Sequence, residues 1–146
     1  MSTQTAVKPS LTIKRHLNAP PEKVFAAWID PEKVKHWMGP RDVKAVSAEC
    51  DPRVGGRYRW IAHSADGEVH EVGGIYREIV PNQKIVFTWA WKSTPERESL
   101  VTVLLKRDGD GTLLTLTHEQ FFDEAARDRH RMGWDGALDK MEKFVA

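Results

Sequence analysis

A single cysteine, Cys50, stands in a chain of 146 residues, so no internal disulfide can form and the fold must rest on its own core. Also lacking is any apolar stretch near the roughly 20 residues that a membrane-spanning helix needs. The N-terminal MSTQTAVKPS holds no apolar run of the kind that directs secretion. The expected location is therefore cytoplasmic, with no membrane insertion. Charge of one sign is not in excess either: Lys and Arg total 22 against 21 Asp and Glu, interspersed rather than gathered into a basic stripe, which argues against nucleic acid as a partner. Catalytic signatures are equally scarce. There is no GxSxG, and Val54-Gly55-Gly56 leads into a strand rather than a phosphate-cradling helix. His118-Glu119 opens like a zinc-protease HExxH, but Phe122 stands where the second histidine belongs. His63, Asp66, His70 and Glu71 surround an Asp-Gly turn, where solvated turn residues are the ordinary reading. No metal and no cofactor is expected.

What the chain does contain is tryptophan, six copies beside five Phe and only two Tyr. The length suits one domain able to bury most of its apolar surface. Residues 1–9 read as a flexible polar tail ending in Pro9, and residues 10–146 as a single domain. Leu11, Ile13 and Leu17 alternate with polar neighbours and predict a strand over 11–18. Pro20-Pro21 then punctuates, and Val24, Phe25, Ala27, Trp28 and Ile29 recur at helical spacing. Asp30-Pro31 stops that helix and starts another, which carries Val34, Trp37 and Met38 up to Gly39-Pro40. From Val43 to Gln120 the period is two. Turns at 52–56, 66–67, 81–82, 93–96 and 108–111 divide this region into about six strands, short-linked as in an antiparallel meander. Beyond Phe122 the helical period returns, with Ala126, His130, Trp134, Leu138 and Met141 near one stripe. The fold class is α+β: about seven strands in a curved antiparallel sheet around a long C-terminal helix, with two short helices after the first strand.

The stretches NAPPEKVFAAWIDPEKVKHWMGP, CDPRVGGRYRW, GGIYREIVPNQKIVFTWAW, GTLLTLTHEQF and GWDGALDKMEKFV occur in an order that resembles the SRPBCC superfamily, which includes the birch pollen allergen and START lipid-binding proteins. Within it the chain is similar to the group related to the C-terminal domain of the heat-shock-protein-90 ATPase activator. The resemblance covers about residues 11–145 and implies a helix-grip fold, a curved sheet gripping the last helix around a hydrophobic cavity. It also implies a tight strand entry at Gly55-Gly56, and a Gly133-Trp134 pair in which the glycine permits close packing against the sheet. Full-length chaperone activators carry a further N-terminal domain, whereas the sequence here opens on a nine-residue polar tail, so regulation of a chaperone ATPase is not expected.

In KIVFTWAW, residues 84–91, the rings of Phe87, Trp89 and Trp91 fall on alternate positions and share one face of a strand. With Tyr58, Trp60 and Tyr76 they are candidates for the concave face, opposite Trp134 and Met141 of the last helix. Trp28 and Trp37 would cap the mouth. Each ring could equally be core, but the set is larger than a core of this size requires, and two or three should wall a cavity. His118 lies on the apolar parity of the last strand and points inward; His130, one turn before Trp134, shares its direction. Either could donate to a bound polar group, act as acid or base, or simply be satisfied by a backbone carbonyl. The expected function is binding of a lipid-like or aromatic small molecule. The alternatives are a cyclase- or hydrolase-like enzyme on an aromatic or polyketide-like substrate, with His118 or His130 catalytic and Glu119 assisting, and a co-chaperone or stress-response interaction protein. A homodimer through exposed edge strands is a further expectation.

Overall fold

A computed structural model describes residues 8–39 and 43–146. Most of the expected tail, and the helix stop expected at Pro40, lie outside the described residues. The first strand, β1 (Leu11–Leu17), buries Leu11, Ile13 and Leu17 and turns Thr12, Lys14 and His16 to solvent. Helix α1 (Pro21–Ile29) starts on Pro21 itself, whose missing N–H costs nothing at a helix N-terminus. Asp30 then does two jobs. Its backbone N–H closes α1 on the Ala26 carbonyl, and its carboxylate accepts from the Glu32 N–H at 3.0 Å to cap α2 (Pro31–Val34). That second helix is shorter than its apolar spacing suggests. Trp37 belongs to the turn beyond it, where its indole N–H donates to the Ala27 carbonyl at 2.8 Å and pins the turn to α1.

The remaining strands are β2 (Val43–Cys50), β3 (Arg57–Ser64), β4 (Val69–Val80), β5 (Lys84–Trp91), β6 (Ser99–Asp108) and β7 (Gly111–Glu119). All pair antiparallel in one seven-stranded sheet of order β1-β7-β6-β5-β4-β3-β2, so β1 and β2 are its edges. The turn before β3 is entered through Gly55 at φ +85°, the left-handed conformation that glycine adopts freely. Tyr58 and Trp60 face inward and Arg57 and Arg59 outward, as alternation requires.

Alternation fails in the middle of β5, where Phe87, Thr88 and Trp89 are buried in succession. The β4–β5 ladder passes from Gly73↔Ala90 to Tyr76↔Phe87 with a register shift following. Thr88 fills the gap: its hydroxyl accepts from the Ile75 N–H at 2.8 Å, and its carbonyl accepts from the Tyr58 hydroxyl. A Cβ on Gly74 would overlap that Thr88 carbonyl, so only glycine lets the strands approach here. Beyond this point the end of β5 meets the closing helix, Trp89 lying 5.1 Å from Trp134.

Helix α3 (Glu124–Val145) is capped by Asp123, whose carboxylate accepts from the Ala126 N–H at 2.8 Å. Its 22 residues give a rod about 33 Å long. Ala126, Trp134, Leu138, Met141 and Val145 form its buried stripe. Arg15 on β1 ties it laterally, donating to Asp139 at 2.7 Å and reaching Asp135 and Glu142 at 3.4 Å. These half-exposed pairs contribute at most about 1 kcal/mol each. Gly133 corrects an expectation. A Cβ there would meet nothing within 4 Å, so close packing does not explain this glycine.

Candidate functional site

Between the sheet and the three helices the aromatic side chains meet one another. Trp28 lies 4.6 Å from Trp37 and 5.9 Å from Trp134, centroid to centroid. Trp60 is 5.8 Å from both Trp37 and Trp89, and Trp89 is 5.1 Å from Trp134. Tyr58, Tyr76 and Phe87 join the same cluster at 5.1–6.3 Å. These are the spacings of tilted and edge-to-face pairs, worth about 0.5–1.5 kcal/mol each beyond area burial. The rings expected to wall a cavity are thus in contact across it. Trp28, Trp37, Tyr58, Trp60, Tyr76, Phe87, Trp89, Trp134 and Met141 are all buried. Trp91 and His130, at the end of the sheet, are half-buried.

The cluster is not fully matched in its polar atoms. The indole nitrogens of Trp28 and Trp60 and the hydroxyl of Tyr76 are buried without a hydrogen-bond partner. Trp60 Nε1 and the Tyr76 hydroxyl lie toward the Cys50 sulfur, but not in full hydrogen-bond geometry. Burial pushes the Cys50 thiol up, and burial followed by the neighbouring Cys50 does the same to Tyr76. The sequence gives Cys50 away only by its parity: with Val46 and Ala48 it faces the core from β2.

At the other end of the cluster the polar atoms are matched, and through histidine. His118 is 0% exposed. The Trp134 indole N–H donates to its Nδ1 at 3.0 Å, which leaves the proton on Nε2 to be donated to Ser99 Oγ at 2.7 Å. Ser99 in turn donates to the Trp89 carbonyl at 3.2 Å. This imidazole is satisfied, though by an indole and a serine rather than the backbone carbonyl anticipated. Burial, and secondarily the nearby His130, holds it well below the ordinary histidine range. His130 is the mirror case. Its Nδ1–H donates to the Ala126 carbonyl at 2.7 Å, and its Nε2 lone pair accepts from Trp91 Nε1 at 2.9 Å and Trp89 Nε1 at 3.3 Å. Burial draws it down against the opposing pull of the Ala126 carbonyl, and the charge of Arg129 adds to the lowering. The two rings stand 5.1 Å apart, both neutral, with Phe121 against each.

Beside His130 a cleft of about 50 Å³ opens, floored by Trp89, Trp91 and Phe121 and rimmed by Arg97 and Arg129. Arg97 lies 3.9 Å above the ring of Phe122, which is 58% exposed. Sequence reasoning missed Ser99, Phe121 and the two arginines. Ser99 was open to parity, since Val101, Val103 and Leu105 behind it on β6 all face inward. The others sit outside any strand period. On the opposite, solvent-facing side of the sheet, Arg57, Arg59, Lys92, Glu49 and Glu71 border a groove of about 440 Å³ over Gly73; its mixed charges pair with one another, as Arg59 does with Glu49 and Glu71. His63 and His70 are exposed, and the described residues hold no cluster of three metal-ligating side chains. No helix among them is long and apolar enough to cross a membrane.

The helix-grip architecture recurs in solved structures. A protein from Chromobacterium violaceum is 28% identical with a TM-score of 0.83, over 94% of this chain and 97% of that one. A protein from Rhizobium leguminosarum is 33% identical with a TM-score of 0.78, over 94% and 93%. The AHSA1 protein from Silicibacter pomeroyi is 26% identical with a TM-score of 0.79, over 92% and 96%. No curated protein matches. Residues 18–146, from the end of β1 through α3, match the family described as Activator of Hsp90 ATPase homolog 1-like protein. With its seven-stranded sheet, paired short helices and gripped C-terminal helix, the chain belongs to that family, within the SRPBCC superfamily.

Proposed function

We propose that the protein binds an apolar or aromatic small molecule within the ring cluster between the sheet and its helices. The observation that carries this reading is the set of unmatched polar atoms on Trp28, Trp60 and Tyr76. A buried donor without a partner costs about 1–3 kcal/mol, and native interiors hold few of them. One wholly unmatched indole, on Trp28, and two groups that face only the weak acceptor of the Cys50 thiol, on Trp60 and Tyr76, suit a guest that supplies acceptors while its body lies among rings. The guest separates rings that now touch, and the end of β5 is the natural place to enter. There Trp91 and His130 are only half-buried and both line the small cleft.

An acid–base role for the histidines has less support. Each imidazole uses both nitrogens on protein partners, and each is pushed toward the neutral form. Binding is therefore favoured over catalysis. Titration with naphthalene derivatives and with C12 acids and alcohols, followed by tryptophan emission, tests the reading. Saturable quenching or a spectral shift with at least one compound is expected, and unchanged emission across the panel would overturn it.

A further inference from the structure

Resting on the binding reading above, we infer that the ligand is an amphipathic carboxylate, whose anionic group is held in the cleft between Arg97 and Arg129 while its apolar body runs inward along Trp91 and Trp89. The cleft is rich in donors and poor in acceptors. Two indole N–H groups, from Trp89 and Trp91, converge on the single Nε2 lone pair of His130. The longer contact, 3.3 Å from Trp89, is the weaker share of an acceptor that can fully serve only one donor. Arg97 from the β5–β6 loop and Arg129 from α3, both exposed, line the same opening. Among the described residues neither makes an ion pair, Arg97 being stacked instead on Phe122. Among the described residues no carboxylate lines the cleft.

A carboxylate matches this imbalance. It offers about four lone-pair sites, takes guanidinium in a bidentate fork and accepts from indole N–H. A volume of about 50 Å³ admits a group of that size and little more, so the rest of the molecule has to leave it. Outward lies solvent, with the exposed ring of Phe122. Inward lies the ladder of Trp91, Trp89 and Trp60, at 5.6 and 5.8 Å spacing, which leads to the unmatched nitrogen of Trp60. An uncharged isostere would use the ladder but leave both guanidinium groups unanswered.

The test compares matched pairs on the full chain: dodecanoate against dodecanol, and naphthaleneacetate against naphthaleneacetamide, by calorimetry and tryptophan emission at pH 7.5. The acid of each pair should bind at least about tenfold more tightly. The preference should vanish in the double variant Arg97→Gln and Arg129→Gln, which changes only exposed side chains and whose fold is checked by circular dichroism. Equal affinity for acid and neutral partner would overturn the carboxylate inference while leaving the binding reading in place. Binding by neither member of either pair would overturn both. A preference that survives in the double variant would overturn the placement at Arg97 and Arg129.

Discussion

A histidine with no exposed surface normally serves structure, and His118 shows how much structure one imidazole can organise. It joins three elements, because it accepts from Trp134 of α3 and donates to Ser99, which closes on the carbonyl of Trp89 in β5. Replacing it with phenylalanine keeps a ring of similar size but leaves the Trp134 N–H buried without an acceptor. His118→Phe should lower stability by about 1–3 kcal/mol in urea unfolding. Ser99→Ala should then cost less in that background than it does alone, since the two side chains share one network. Additive losses would show that the network is not coupled. His130 is bound to the opposite tautomer by the Ala126 carbonyl, and the two imidazoles divide the work: one accepts from the helix indole, the other from the two indoles of the strand.

At the scale of elements, α3 carries a weakness that packing does not require. Gly133 sits inside the helix with open space where a side chain would be. Gly133→Ala should therefore stabilise the protein, by up to about 1 kcal/mol, seen as a rise in thermal midpoint; a fall would mean that the helix is strained at this point. The same residue shows what could and could not be read ahead of the structure. Seven strands, two short helices and the closing helix were legible because each keeps a single period over most of its length, as Leu11, Ile13 and Leu17 do on β1. The role of Gly133 was not, because a sequence marks a glycine without showing which neighbour approaches it. Thr88 is the sharper case. By alternation it faces solvent, yet it is buried, since Gly74 lets β4 close down on its carbonyl. An approach between Gly74 and Thr88, two residues in separate strands, leaves no local signature. Of the candidate site, the inward rings followed from parity, but whether they meet or stand apart depends on distances across the sheet that no period encodes. The arginines at the cleft come from a loop and from the polar side of a helix, where pattern is silent.

For the whole molecule, the neutrality of buried His118 and half-buried His130 makes stability depend on acidity. Their protonation is held below the unfolded value, near 6.5, so the unfolded chain binds protons first as pH falls. Their contribution is fully present above about pH 6.5 and is lost below it, with a slope of up to about 1.4 kcal/mol per pH unit for each imidazole. Urea unfolding at pH 7.5, 6.5 and 5.5 should show this fall, and His130→Gln should flatten it; an equal slope in the variant would exclude His130 as a source. Acidification should also alter tryptophan emission, because a protonated His130 no longer accepts from Trp89 and Trp91. That signal has a collective character. Trp37, Trp28, Trp134, Trp89 and Trp91 form an unbroken series with neighbours 4.6–5.9 Å apart. At such separations identical indoles exchange excitation faster than they emit, so light absorbed beside α1 migrates and can be released at the far end of β5. The protein should therefore behave optically as one antenna, with an event at the His130 cleft reported by chromophores that never touch it.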